Sequence, residues 1–167
     1  MGHYRPPAPK KSPYITAKGL LALKDELEQK WKLRREVTVI LSAAAAEGDR
    51  SENAEYIYRK KQLREIDYRI RYLQKRIPDL TAVDKPPSDQ SMVFFGAWAT
   101  LEDEQGETVR YRIVGPDEFD PKQGLISMDS PVARALMKKK IDDEVRVMTP
   151  QGEQIYCILD IEYEKSV

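Results

Sequence analysis

Two stretches of this chain repeat their apolar positions at helical spacing. In the first, Leu20, Leu23 and Leu27 step by three and four, and Trp31, Val37 and Leu41 carry the stripe less regularly to the alanine run at 43–46. In the second, Leu63, Ile66, Ile70, Leu73, Ile77 and Leu80 alternate steps of three and four, a register that passes back through Tyr56. A seam of this kind lets two helices pack side by side. Thr16 suits the N-cap of the first helix, with Ile15 placed to staple against Leu20. Gly48 suits its end, and the second helix is predicted to start near Ser51. Two helices of about 28 residues, at about 1.5 Å each, make an antiparallel hairpin roughly 40 Å long. Its tip is EGDRSE, and its narrow apolar face predicts that it projects from a more compact body.

After the segment DKPPSDQ (84–90) the pattern changes to short strands: MVFFGAWATLE, TVRYRIVG after a DEQGE turn, GLISM, then VRVMT and QIYCILDIEY joined by PQGE. Between them Ser130 and Pro131 read as the cap and first residue of a helix running through VARALMKK. The fold class predicted is α+β. Its parts are a disordered arm at 1–13, a two-helix coiled-coil finger at 14–83, a linker at 84–90 and a compact domain at 91–167.

Composition adds charge polarity to this picture. The 167 residues carry 28 basic and 28 acidic side chains, a balance that hides their distribution. Residues 56–77 hold eight basic side chains against two acidic, whereas 91–167 hold nine basic against fifteen acidic. A single cysteine, Cys157, excludes an internal disulfide and a thiolate metal cluster within one chain, and points to a reducing cytoplasm. No apolar run is long enough to span a bilayer, so no membrane segment is expected. His3, the one histidine, falls in the Pro-rich arm, which argues against imidazole chemistry.

Two features carry candidate chemistry. At the tip, Asp49-x-x-Glu52 has the spacing of a capping box, in which both carboxylates satisfy backbone donors. The same two acids at the end of a long finger are also suited to deliver oxygen ligands to Mg²⁺ at a half-built site on another molecule. Glu47 and Glu55 read as solvated helix charges. Along the second helix, Lys60, Lys61, Arg64, Arg71 and Lys75 fall mostly on one side, beside the apolar seam, with Tyr68 and Tyr72 interleaved. That is either a solvated face or one that tracks phosphates while tyrosines stack on unpaired bases.

In combination, ITAKGLLALKDEL, GDRSENAEY, RKKQLREIDYRIRYLQKR, VFFGAW, YRIVGPDE and ISMDSPVARALMKKKIDDEV resemble the bacterial Gre transcript-cleavage factors. The basic second helix resembles the GreB branch more than the GreA branch. The likeness runs over about residues 14–163, with the arm before Tyr14 additional to it. It implies a coiled coil that enters the secondary channel of RNA polymerase and a second domain of FKBP-like fold that docks on the polymerase. Asp49 and Glu52 would then help the polymerase hold its second Mg²⁺ and cleave backtracked RNA, the monomeric factor having no nuclease site of its own. Lys60, Lys61, Arg64, Arg71 and Lys75 would lie along the nascent RNA 3′ segment, and Asp129, Ser130 and Pro131 match the docking motif. A channel regulator that does not stimulate cleavage is the alternative. A prolyl isomerase would rest on the FKBP-like fold alone.

Overall fold

The computed structural model describes residues 6–50 and 52–165. In chain order it contains β1 (Tyr14–Thr16), α1 (Ala17–Ala45), α2 (Ala54–Arg76), β2 (Thr81–Val83), β3 (Trp98–Asp103), β4 (Thr108–Val114), β5 (Leu125–Ser127), α3 (Pro131–Leu136), β6 (Glu144–Thr149) and β7 (Gly152–Glu162). Two compact units divide these elements. One is Leu20–Leu80; the other combines Met1–Gly19 with Thr81–Val167.

In the Leu20–Leu80 unit, α1 (29 residues) and α2 (23 residues) are antiparallel. Glu26 meets Arg69, Arg34 meets Asp67, and the Ala44 carbonyl meets Asn53, so contacts advance along α1 while they retreat along α2. Val37, Ile66 and Ile70 form the buried centre, flanked by half-buried Leu27, Leu33 and Leu63. Fully burying each such side chain stabilises by about 1.5–3 kcal/mol, so this core is small, and polar ties supplement it. Arg69 holds Glu26 with two nitrogens, Nε at 2.6 Å and Nη2 at 2.9 Å. Trp31 was expected in the stripe but is exposed; Leu33 takes its place. The seven-residue pattern breaks at that point of α1, and the indole lies under the Arg34 guanidinium instead.

In the other unit, five strands form a sheet in the order β5-β4-β3-β7-β6, antiparallel except for the β4–β5 pair. The alternation along β6 buries Val145 and Val147 and leaves Glu144, Arg146 and Met148 out, as a sheet covered on one face requires. Leu101, Ile113, Val145 and Ile158 pack with Ala133 and Leu136 of α3 in one core. The predicted strand MVFFGAWATLE is only half strand. Gly96, at φ +87°, turns the chain before β3 begins at Trp98. The Tyr163 hydroxyl fastens that turn, accepting from the Phe94 amide and donating to the Met92 carbonyl.

The compact units are cut at other residues than the sequence partition. The strand β1 pairs in parallel with β2, Tyr14 opposite Thr81 and Thr16 opposite Val83, and both belong with the sheet unit. Leu20–Leu80 thus forms one compact unit, while β1, β2 and residues 84–90 group with the sheet. Glu118 explains the entry into α1. Its carboxylate accepts from the Thr16 amide (3.0 Å), the Thr16 hydroxyl and the Gly115 amide (2.9 Å). Thr16 in turn caps α1, its hydroxyl accepting from the Gly19 amide at 3.0 Å. A Cβ on Gly115 would sit 2.0 Å from the Tyr14 carbonyl oxygen, so that position excludes a side chain, and one on Gly19 would sit 2.1 Å from a Glu118 carboxylate oxygen and force that side chain to shift. Of the arm predicted to be disordered, residues 1–5 lie outside the described residues. Its end is tied down, with Ser12 on Asp129 and the Pro13 carbonyl on the Thr81 amide.

Candidate functional site: the hairpin tip and the basic face of α2

α1 ends at Ala45, and Gly48 at φ +128° turns the chain out of it. The N-cap of α2 is Asn53, four residues beyond Asp49, the cap that the spacing suggested. Its Oδ1 accepts from the Tyr56 amide at 3.1 Å, while its Nδ2 donates to the Ala44 carbonyl at 2.8 Å and closes the tip onto the end of α1. One amide thus serves both helices, which neither carboxylate could do, since an ionised acid has no proton to donate. The helix start near Ser51 is corrected to Ala54; Ser51 itself lies outside the described residues. Asp49 and Glu52 are both exposed, and neither occupies the cap position that the D-x-x-E spacing suggested.

Carboxylate oxygens are hard donors that suit Mg²⁺, which needs six oxygen ligands and keeps several as water. Among the described residues no group of three or more His, Cys, Asp or Glu is placed to hold a metal. Asp49 and Glu52 are two exposed carboxylates at the tip. Glu55 makes an ion pair with Arg59 at 2.8 Å, one turn on, and Glu47 is exposed.

Lys60, Lys61, Arg64, Arg71 and Lys75 are all exposed. At 3.6 residues per turn they fall within an arc of about 100°, with Tyr68 inside it. The arc lies nearly opposite Ile66 and Ile70 rather than beside the seam. Arg59 and Arg69, by contrast, lie outside the arc, where Glu55 and Glu26 bind them. Among the described residues no carboxylate forms an ion pair with any of the five. Lys61, Arg64, Glu65 and Tyr68 line a shallow cleft on this face, and Tyr68 is 71 % exposed. Such a face can neutralise phosphates while an aromatic ring offers a stacking surface. The spacing did not reveal Arg50, whose guanidinium lies over the Tyr56 ring at the tip, 5.6 Å from its centroid.

In the sheet unit, the expected docking residues have structural duties. Asp129 accepts from the Ser12 amide (2.9 Å) and hydroxyl. The Ser130 hydroxyl accepts from the Ala133 amide and caps α3, and Pro131 opens that helix with its ring exposed.

A helical hairpin with an acidic tip and a cationic face, set in sequence between the paired strands of an α+β unit, defines the class. Residues 13–81 match the family described as "Transcription elongation factor, N-terminal", and residues 88–163 match "Transcription elongation factor, GreA/GreB, C-term". The chain belongs to the GreA/GreB family of transcription elongation factors. It is 56% identical over 164 residues to the transcription elongation factor GreB of Pseudomonas aeruginosa, covering 98% of each chain. It is 55% identical over 165 residues to GreB of Xanthomonas axonopodis pv. citri, again covering 98% of each. To GreB of Haemophilus influenzae it is 58% identical over 156 residues, 93% of this chain and 99% of that one. The first two matches take in most of the segment before Tyr14, so the arm is not an addition to this chain alone. No helix among the described residues is long and apolar enough to cross a membrane.

Proposed function

We propose that this elongation factor binds bacterial RNA polymerase, inserts its hairpin into the secondary channel and stimulates the polymerase's own cleavage of backtracked RNA. The factor is an activator with no nuclease site of its own. The observation that carries the reading is that Asp49 and Glu52 stand exposed at the tip while Asn53 performs the capping. Mg²⁺ held jointly by these acids and the polymerase would polarise both water and the scissile phosphate. Asp49 would supply a direct oxygen ligand, and Glu52 would bind through water or orient the attacking water. The exposed Lys60, Lys61, Arg64, Arg71 and Lys75 would lie along the RNA 3′ segment, neutralising its phosphates. Docking would use the face around Asp129, Ser130 and Pro131, of which the Pro131 ring is exposed.

The test is a defined backtracked elongation complex with 3′-overhanging RNA. Asp49→Ala and Glu52→Ala should each lower the cleavage rate about 100-fold, the scale for losing a group that stabilises developing charge, with polymerase affinity unchanged. Full cleavage by both single variants and the double variant would refute the delivery of metal ligands. Inhibited synthesis without shortened RNA would favour a channel regulator that does not promote cleavage.

A further inference from the structure

Residues 47–56 carry Glu47, Asp49, Glu52 and Glu55 against one cation, Arg50. An RNA phosphate approaching the tip would be repelled by this concentration of acid unless a positive group stood beside it. The basic face of α2 cannot meet that need unaided, because its last helical cation towards the tip is Lys60, more than one turn inside the start of α2 at Ala54. Arg50 is exposed within the loop itself, immediately after Asp49. Its position is defined by a ring: the guanidinium carbon is 5.6 Å from the Tyr56 centroid, and the Lys60 ammonium is 5.7 Å from the same centroid. Tyr56 is half-buried, and its amide is fixed by Asn53, which also holds the end of α1. One aromatic ring on a fastened backbone thus gathers the last cation of the helix face and the only cation of the loop.

From this geometry we infer that Arg50 is the terminal phosphate contact of the basic track, gripping the phosphodiester that lies beside Asp49 and Glu52, and that Tyr56 is its positioning residue. The inference rests on the cleavage reading above and names a residue which that reading lacks. Lys75, Arg71, Arg64 and Lys60 descend α2 towards the tip at intervals of about 6–10 Å of helical rise, and Arg50 continues the series past the helix end. Arginine suits the terminal place because its planar fork can grip two phosphate oxygens at once, whereas a lysine offers a point charge. The Tyr56 ring attracts the guanidinium through its face and leaves the outward N–H groups available. The tyrosine hydroxyl has no part in this, so phenylalanine should serve as well.

The experiment compares full-length Arg50→Ala, Arg50→Lys, Tyr56→Leu and Tyr56→Phe on the same backtracked complex. It reads maximal cleavage rate, the factor concentration for half-maximal rate and the Mg²⁺ concentration for half-maximal rate, with Asp49→Ala as reference. Arg50→Ala is expected to lower the maximal rate about tenfold or more, the scale of a missing hydrogen bond to a charged group, with both half-maximal concentrations unchanged. Arg50→Lys should recover part of that loss. Tyr56→Phe should match the wild type, and Tyr56→Leu should fall in the direction of Arg50→Ala. An Arg50→Ala rate within twofold of wild type would overturn the inference. So would a shift in Mg²⁺ requirement like that of Asp49→Ala, which would place Arg50 on the acids rather than on RNA. Loss in Asp49→Ala with none in Arg50→Ala sinks this inference alone. Loss in Arg50→Ala with none in Asp49→Ala sinks the metal-ligand reading and leaves the phosphate contact standing.

Discussion

Replacing Glu118 by alanine should unfasten the start of α1 from the sheet unit. Three donors converge on its carboxylate: the amide and hydroxyl of Thr16 and the amide of Gly115. Thr16 is 2 % exposed, so water cannot readily replace the missing acceptor at its amide. A buried donor left unsatisfied costs about 1–3 kcal/mol, and bonds to a charged acceptor lie in the upper part of that range. Allowing the Thr16 hydroxyl to rotate to another acceptor, the loss comes to about 3–4 kcal/mol on the same scale. The chain offers a separate probe for each unit, since its two tryptophans are Trp31 in α1 and Trp98 in β3. In a Trp31→Phe background, urea unfolding followed by Trp98 fluorescence should lose about 1.5–2 M in midpoint at a slope near about 2 kcal/mol/M. Glu118→Gln, which keeps an acceptor oxygen but not the charge, should fall between. A midpoint change equivalent to less than about 0.5 kcal/mol for Glu118→Ala would refute the reasoning, because that is the scale of an ordinary surface substitution.

Arg64→Glu should weaken cleavage in a salt-sensitive way. Each phosphate that is no longer neutralised on a single strand reduces the slope of log affinity against log salt by about 0.7, so a slope equal to wild type across a KCl series would remove Arg64 from the track. The hairpin should also lose stability in acid through Glu26. Its hydrogen bonds with Arg69, opposed by partial burial and aided by the Arg69 charge, hold its pKa below the ordinary 4.5. A lowered folded-state pKa stabilises above the unfolded value, and that contribution disappears as pH falls through about 4.5 and then through the folded value. Helical circular dichroism during urea unfolding should show Glu26→Gln losing this acid-dependent component relative to wild type between about pH 6 and pH 3.

The α2 seam was legible because it never breaks step: Leu63, Ile66, Ile70 and Leu73 are each half-buried or buried, as periodicity required. α1 was less so, since its stripe falters at Trp31: the step of four from Leu27 selects the indole, whereas Leu33 is the residue that packs. The division of the chain was hidden for a different reason. β1 and β2 are three residues each, pair in parallel across the whole length of the hairpin, and leave no alternation long enough to read. The end of β1 is held by Glu118, one acid among fifteen in the second half, with Gly19 leaving room for its carboxylate and Gly115 for the Tyr14 carbonyl.

At the tip the spacing misplaces the cap. D-x-x-E has two explanations from sequence, a cap or a pair of outward acids, and local chemistry cannot choose between them. The choice is made by Asn53, because closing this turn takes a group that accepts from the Tyr56 amide while donating to the Ala44 carbonyl. An amide side chain does both, so the N-cap of α2 is Asn53 and neither acid. The cations of α2 divide by the same logic. Position on the helix decides which meet a carboxylate: Arg59 and Arg69 do, and are spent on the fold. Lys60, Lys61, Arg64, Arg71 and Lys75 face away from the partner helix, which is why the proposed reading assigns them to RNA phosphates.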